Sequence, residues 1–212
     1  MPMDALSPAQ CREMLLAVAN AIIAAEPELS QADRDLGDGD HGLGMQRGMT
    51  AAKEALAGDF DSVDQPFTAM GKAMMSSMGG ASGVVFGTLF RATGRALKGE
   101  ELLRSPGLAA GLEAAAGAIS QRGGAKAGDK TMLDALVPAS EKAAEVTEEP
   151  ISSALTAIAG AAEAGVEASK DLIATMGRAK TLGERCLGLP DPGALSVAII
   201  FRTMSDYSNS SV

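Results

Sequence analysis

Tryptophan is missing from this chain, tyrosine occurs once and phenylalanine five times, and a single histidine and two cysteines complete a short inventory of the residues that most often carry chemistry. Each scarcity excludes something. With His41 the only histidine, neither a Ser-His-Asp triad nor a histidine metal cluster can be assembled within the chain. Cys11 and Cys186 are far apart and make no ligand-spaced or secreted-scaffold pattern, so a reducing compartment is expected. Cys11 falls on an apolar stripe and reads as core; Cys186 falls in a polar stretch where exposure is expected, with no base nearby to activate it. No run approaches the roughly 20 apolar residues of a membrane span, and Met1 to Ser7 holds no basic segment followed by an apolar one. The expectation is a soluble, unexported, cytoplasmic protein without a membrane partner. Positive charge is also short: 18 Lys and Arg against 27 Asp and Glu leave a net charge of −9, which disfavours nucleic acid and anionic membranes. A polyanion such as a nucleotide would need metal or local dipoles to bind here.

What is present is aliphatic. Hydrophobic residues make up 46% of the 212, so the core is to be built from Ala, Leu, Ile, Val and the frequent Met, which suits closely packed helices. Composition does not shift midway, and residues 1–212 read as one domain. Ser7-Pro8, Ser105-Pro106 and Asp191-Pro192 each place a capping side chain before a proline, the signature of a helix start, and Gln10 completes a capping box with Ser7. Helical spacing recurs at Cys11, Leu15, Val18 and Ile22, at Phe67, Met70, Met74 and Met78, at Phe86, Leu89, Phe90 and Leu97, and at Leu155, Ile158, Ala162 and Val166. Further helices are predicted over Met45 to Ala57, Leu108 to Ile119, Thr131 to Val146 and Gly193 to Met204. Strand-like alternation is absent, and roughly eight antiparallel helices follow. Four Gly-rich polar segments interrupt them: Asp33 to Gly44, Gly79 to Gly83, Arg122 to Thr131 and Gly177 to Gly193.

The first of these crowds Asp33, Asp35, Asp38 and Asp40 into eight residues, with glycines at 37, 39 and 42 that let the backbone fold back. Converging carboxylates repel unless a cation sits between them, and hard oxygen ligands suit Mg²⁺ better than Zn²⁺. A calcium EF-hand does not fit, because Gly37 and Gly44 fall at its fifth and twelfth positions. The plainer alternative is a solvated turn with capping aspartates, a role that suits Asp35 best. Gly79-Gly80-Ala81-Ser82-Gly83, just before an apolar helix, offers unobstructed amides to phosphate oxygens, or equally a close helix crossing. Asp129 in Gly128-Asp129-Lys130-Thr131 is a helix-cap candidate, and Arg178 is either a phosphate partner or a surface residue.

In order and spacing, Asp33 through Gly42, Gly79 through Gly83, Gly128-Asp129-Lys130-Thr131-Met132, and Gly177-Arg178-Ala179 through Leu182-Gly183-Glu184-Arg185 to Asp191-Pro192-Gly193-Ala194 resemble the dihydroxyacetone kinase L subunit family over nearly the whole chain. The resemblance implies an all-α, eight-helix antiparallel barrel with a nucleotide at one end. It implies two Mg²⁺ ions on Asp33, Asp38 and Asp40, and ADP or ATP contacts at His41, Gly42, Leu43, Gly44, Ala81, Ser82, Gly123, Thr131, Met132, Arg178, Asp191, Pro192 and Gly193. Arg178 would act catalytically at the transferred group. The substrate would sit on a partner K subunit, covalently through a histidine this chain lacks.

Separate L subunits of this family often retain ADP, rephosphorylated by a phosphotransferase-system protein, whereas fused forms exchange ATP. The segment Leu182 to Arg185 is typical of the separate kind, so the first arrangement is expected. An ATP-exchanging kinase half for another ketose such as erythrulose, a regulatory nucleotide-binding module, and a helical protein that binds only divalent cations are the rivals. The sequence leaves a homo-oligomer open. Gly44 stands where asparagine is frequent and Lys180-Thr181 where Ser-Tyr is, departures that bear on nucleotide affinity or exchange.

Overall fold

Ser7 starts the first helix as its sequence dictates: its Oγ accepts from the Gln10 amide at 3.3 Å, the Gln10 Oε1 accepts from the Ser7 amide at 2.9 Å, and Pro8 follows with no amide hydrogen to lose. The computed structural model describes residues 2–210. Within them lie nine α-helices: α1 (Pro8–Ala24), α2 (Glu26–Leu36), α3 (His41–Ala55), α4 (Asp64–Ser77), α5 (Gly80–Ala96), α6 (Ser105–Gly123), α7 (Leu133–Glu145), α8 (Ile151–Ser169) and α9 (Pro192–Ser210). A 3₁₀ segment, Arg178–Cys186, precedes α9 and is broken at Gly183, whose φ is +56°. The only strand-like pairing among the described residues is a single bridge between Leu6 and Leu103. Among the described residues no helix is long and apolar enough to cross a membrane.

Eight of the helices close a ring. Packing runs α3 to α4 and onward through each successive helix to α9, which packs on α1, which returns to α3 and α4. Short connections make sequence neighbours antiparallel. The ninth helix, α2, lies across one end against α3 and α9. The all-α, eight-membered arrangement is the expected one; α2 is the addition, since its apolar residues are too few to declare a stripe. It begins with Pro27 in its first turn beside Glu26 and Glu28, where carboxylates favour a helix N-terminus. The expected loop from Asp33 to Gly44 thereby shrinks to residues 37–40.

One apolar cluster fills the ring. Phe67, Phe86, Phe90 and Phe201 are its large members, and Met14, Met45, Met49, Met70 and Met74 fill the space that more aromatics would occupy elsewhere. Where side chains would hold helices apart, glycine removes them: a Cβ on Gly71 would lie 2.7 Å from the Gly87 carbonyl oxygen, and one on Gly87 would lie 2.8 Å from that of Gly71. A Cβ on Gly165 of α8 would strike the Asp134 carbonyl and lie 2.8 Å from the Ala135 Cα in α7.

Three local expectations are corrected. Ser105 is the first residue of α6 and not its cap; its hydroxyl donates to the Glu149 carbonyl at 2.6 Å and ties the helix start to the α7–α8 connection. Asp129 does not cap α7, which begins four residues later. Cys186 is fully buried, in a small separate cluster with Leu36 and Ala174, because the Gly177–Gly193 segment folds its few apolar side chains onto the end of α2.

The glycine contacts yield a paired prediction within one helix. Gly165→Ala should lower stability by about 1–3 kcal/mol through overpacking. Gly160→Ala, where nothing lies within 4 Å, should raise it by up to about 1 kcal/mol through helix propensity. Urea unfolding of both variants measures the pair, and equal shifts of the same sign would refute the close α7–α8 contact.

Candidate functional site

Alternation around the ring brings the N-termini of α3, α5, α7 and α9 to one end, together with the C-termini of α2 and α6. Between them lies a cavity of about 280 Å³. Asp40 and His41 enter it from the start of α3, Ala81, Ser82, Val85 and Phe86 from α5, Thr131, Met132 and Leu133 from α7, and Asp191, Pro192 and Gly193 from α9. Leu36 ends α2 and Gly37 and Asp38 follow it, Ile119 and Gly123 close α6, and Met176 through Ala179 cover the cavity from the loop before α9. Four helix starts turn the positive ends of their dipoles to this space, so the acidic chain has a local anion-attracting field.

The carboxylates owe their convergence to the turn between α2 and α3. The Gly37 amide donates to the Asp33 carbonyl at 2.5 Å, and Gly39 takes a φ of +77°, a conformation costly for any side chain. The chain thus doubles back, and the His41 amide donates to Asp33 Oδ2 at 3.0 Å. Asp33, Asp38 and Asp40 end with oxygens within 4.8 Å of one another, the first half-buried and the other two exposed. Asp35 points away and accepts from Gln31 Nε2 at 2.9 Å on the α2 surface. Arg178 reaches across to pair with Asp38, with its Nη2 3.9 Å from Asp40 Oδ2. One guanidinium cannot neutralise three carboxylates, each like pair costing about 1 kcal/mol in water and about 4 kcal/mol near a protein surface at such spacing. The donor set fits a hard divalent cation.

His41 is buried, and its Nε2 lies 2.8 Å from Ser196 Oγ. Since the Ser196 hydroxyl donates to the Pro192 carbonyl at 3.0 Å, the ring proton is assigned to Nε2, which donates to Ser196. Burial lowers the imidazole pKa, partly opposed by Asp33 and Asp40, so the ring is neutral at pH 7. Asp191 caps α9 by accepting from the Ala194 amide at 2.8 Å, yet burial pushes its carboxyl up to about 7.

Thirteen of the sixteen residues singled out from sequence as metal or nucleotide contacts line the cavity; Gly42, Leu43 and Gly44 do not. Gly42 instead packs on α2, where a Cβ would lie 2.5 Å from the Glu26 carbonyl oxygen, and Leu43 is 48% exposed. Sequence reasoning missed the apolar wall of Val85, Phe86, Ile119 and Met176, because such residues read as core. It also missed Asp134, which accepts from the Gly128 amide at 2.5 Å and the Thr131 amide at 2.6 Å and so shapes the turn before α7. An acid three residues after a threonine in a glycine-rich turn was the available signal. Asp129 accepts from the Lys126 amide at 2.8 Å and from the Thr175 hydroxyl at 2.5 Å, the bonds that hold its carboxyl below the ordinary range.

Asp191 supplies a pH prediction. Its folded pKa of about 7 exceeds the ordinary 3.8, so its stabilising contribution is complete below about 4 and lost as pH rises through 7. His41, depressed from 6.5, acts oppositely: its contribution is present above 6.5 and lost as pH falls towards its folded value. Asp191→Asn keeps the capping acceptor but cannot ionise. In ligand-free protein its melting temperature, relative to the unsubstituted chain, should be higher at pH 8 than at pH 5 by calorimetry. An offset that does not change with pH would refute the buried carboxyl.

Comparison with known proteins converges on one family. Residues 35–206 match the DAK2 domain. The chain is 41% identical over 195 residues to the D-erythrulose kinase of Mycolicibacterium smegmatis, covering 90% of this chain and 34% of that protein. It is 38% identical over 182 residues to the ADP-binding subunit DhaL of PEP-dependent dihydroxyacetone kinase 1 from Listeria innocua, covering 83% of this chain and 84% of that subunit. Among solved structures, the dihydroxyacetone kinase of C. freundii in complex with AMP-PNP and Mg²⁺ superposes with a TM-score of 0.72 and 26% identity, over 96% of this chain and 35% of that one. The chain therefore spans about a third of the length of the larger kinases it matches and most of the separate subunit.

Proposed function

From the premise that this chain belongs to the DAK2 domain family, we propose that it is the ADP/ATP- and Mg²⁺-binding half of a kinase for dihydroxyacetone or a related short ketose, acting with a K-type subunit that holds the substrate. The observation that carries the reading is the cavity where three convergent carboxylates, Arg178 and four helix N-termini meet an apolar wall. Nothing else among the described residues combines hard metal ligands with a place for a flat heterocycle.

Asp33, Asp38 and Asp40 would hold two divalent cations, which supply the charge that neutralises the phosphates. The amides at the start of α5, beside Ala81 and Ser82, would receive phosphate oxygens. Val85, Phe86, Ile119 and Met132 would enclose the base, with Thr131 and the Asp191 to Gly193 turn at its edge. Arg178 is catalytic in this reading: it would leave Asp38 for the phosphoryl group in transfer and stabilise its charge. His41, neutral and engaged with Ser196, orients the start of α3 and moves no proton. The acceptor hydroxyl comes from the ketose on the partner, so positioning and electrostatics suffice and no nucleophile is required of this chain.

For the phosphoryl donor we favour bound ADP rephosphorylated by a phosphotransferase-system protein, supported by the Leu182 to Arg185 segment and by likeness to DhaL subunits of PEP-dependent kinases. The likeness to the D-erythrulose kinase favours a second reading, an ATP-exchanging half for a four-carbon ketose. Mass spectrometry of nucleotide released from freshly purified protein separates them: stoichiometric ADP is expected for the first, an empty site filled by ATP and Mg²⁺ for the second. If no reconstituted pair phosphorylates any short ketose from either donor while nucleotide still binds, the kinase reading gives way to a regulatory nucleotide-binding module.

Three substitutions test the assignments. Asp38→Ala or Asp40→Ala should abolish Mg²⁺-dependent nucleotide retention while circular dichroism stays helical, and unchanged ADP affinity by calorimetry in both would sink the metal site. Arg178→Ala should lower kcat of the reconstituted pair by about 10²–10³-fold with a far smaller change in nucleotide affinity.

A further inference from the structure

Lys130 is the only non-glycine residue with a positive φ, +59°, among the described residues, and it is also 2% exposed. Its ammonium makes no ion pair with a carboxylate there. Instead Nζ donates to the Ser169 carbonyl at 2.5 Å and the Leu189 carbonyl at 2.7 Å, and burial lowers its pKa. Ser169 is the last residue of α8, and Leu189 lies just before the Asp191 cap of α9. A single ammonium therefore joins the two ends of the 170–188 loop. Two bonds close the same neck: the Gly188 amide to the Lys170 carbonyl at 2.8 Å, and the Asp191 amide to Ser169 Oγ at 3.1 Å.

The preceding residue holds the loop further along. Thr175 donates its hydroxyl to Asp129 Oδ1 at 2.5 Å and its amide to the Asp129 carbonyl at 3.2 Å. Three residues later the chain reaches Arg178, over the carboxylate cluster. Burying an ammonium that hydrogen-bonds to carbonyls and pairs directly with no carboxylate, in a backbone conformation that suits glycine, destabilises the free protein on both counts, though the charges of Asp191, Asp134 and Asp171 offset part of the first. Neither cost is needed to terminate a helix or fill the core. Each is accounted for if adjacent residues must grip the neck and the flank of one loop at the same time.

We infer that Asp129 and Lys130 form a clasp that positions Arg178 for phosphoryl transfer, with Lys130 acting through the loop and not on the nucleotide. This rests on the kinase reading proposed above for its catalytic consequence, and on the loop geometry alone for its mechanical one. Lys130 also lines the cavity, but two of its three Nζ donors are occupied by the neck carbonyls, which directs the ammonium to the loop.

Lys130→Met retains the length of the side chain and removes charge and donors. Hydrogen exchange of the intact protein should then accelerate across residues 170–188 while α4 and α8 keep their protection. With a K-type partner, kcat should fall about tenfold or more, and in an Arg178→Ala background the same substitution should cause no further loss, because residues acting as one unit are not additive. Unchanged loop exchange in a natively folded Lys130→Met protein overturns the clasp, as do losses that simply multiply in the double variant. Should Lys130→Met fail to fold, exposed Thr175→Val tests the Asp129 end, and unchanged exchange around residues 172–178 overturns the proposal there. The exchange measurement needs neither partner nor ketose, so a pair that transfers no phosphoryl group counts against the kinase reading and leaves the clasp decided on its own data.

Discussion

Closure of an antiparallel ring is the constraint from which the other features follow. Eight helices in alternating direction must set four N-termini at one end, and here α3, α5, α7 and α9 point theirs at a single cavity. A chain with a net charge of −9 thereby acquires a place where an anion is favoured, without a cluster of basic side chains. The same end carries the three carboxylates. A site that joins helix dipoles to carboxylates is suited to an anion that brings its own cations.

Close approach of the helices depends on the scarcity of large side chains. Gly71 meets Gly87 and Gly165 meets α7 backbone to backbone, while methionines take up the irregular volume left between few phenylalanines. The ring is therefore narrow and filled. Its cavity lies at the mouth, where helices end and loops begin, and the interior holds a continuous apolar cluster.

Much of this was legible in the sequence, and for identifiable reasons. Periodic apolar residues marked the long helices, and the Ser7-Gln10 box and Asp191 cap are local chemistry that tertiary contacts left intact. The aspartate turn was readable because glycine spacing and repeated acids together leave few conformations. Helix α2 was not, since it exposes most of its surface and buries only Leu29, Ser30 and Leu36. Ser105 and Asp129 carried cap signatures but bond across the fold, to Glu149 and to Thr175, partners that no local rule connects. Cys186 looked exposed because its burial needs Leu36, 150 residues earlier, to arrive beside it. Lys130 gave no signal at all: a left-handed, buried lysine is visible only once the two carbonyls it joins have been brought together.

The separate cluster of Leu36, Ala174 and Cys186 carries a kinetic consequence. Because the loop before α9 rests its Ala174 and Cys186 on Leu36 of α2 and not on the main core, swinging it outward exposes little apolar surface. Such an opening has a shallow denaturant dependence and leaves the ring folded, whereas loss of the ring is global and steep. A ligand in the cavity thus has a route of release through a local motion, one that does not require the barrel itself to loosen.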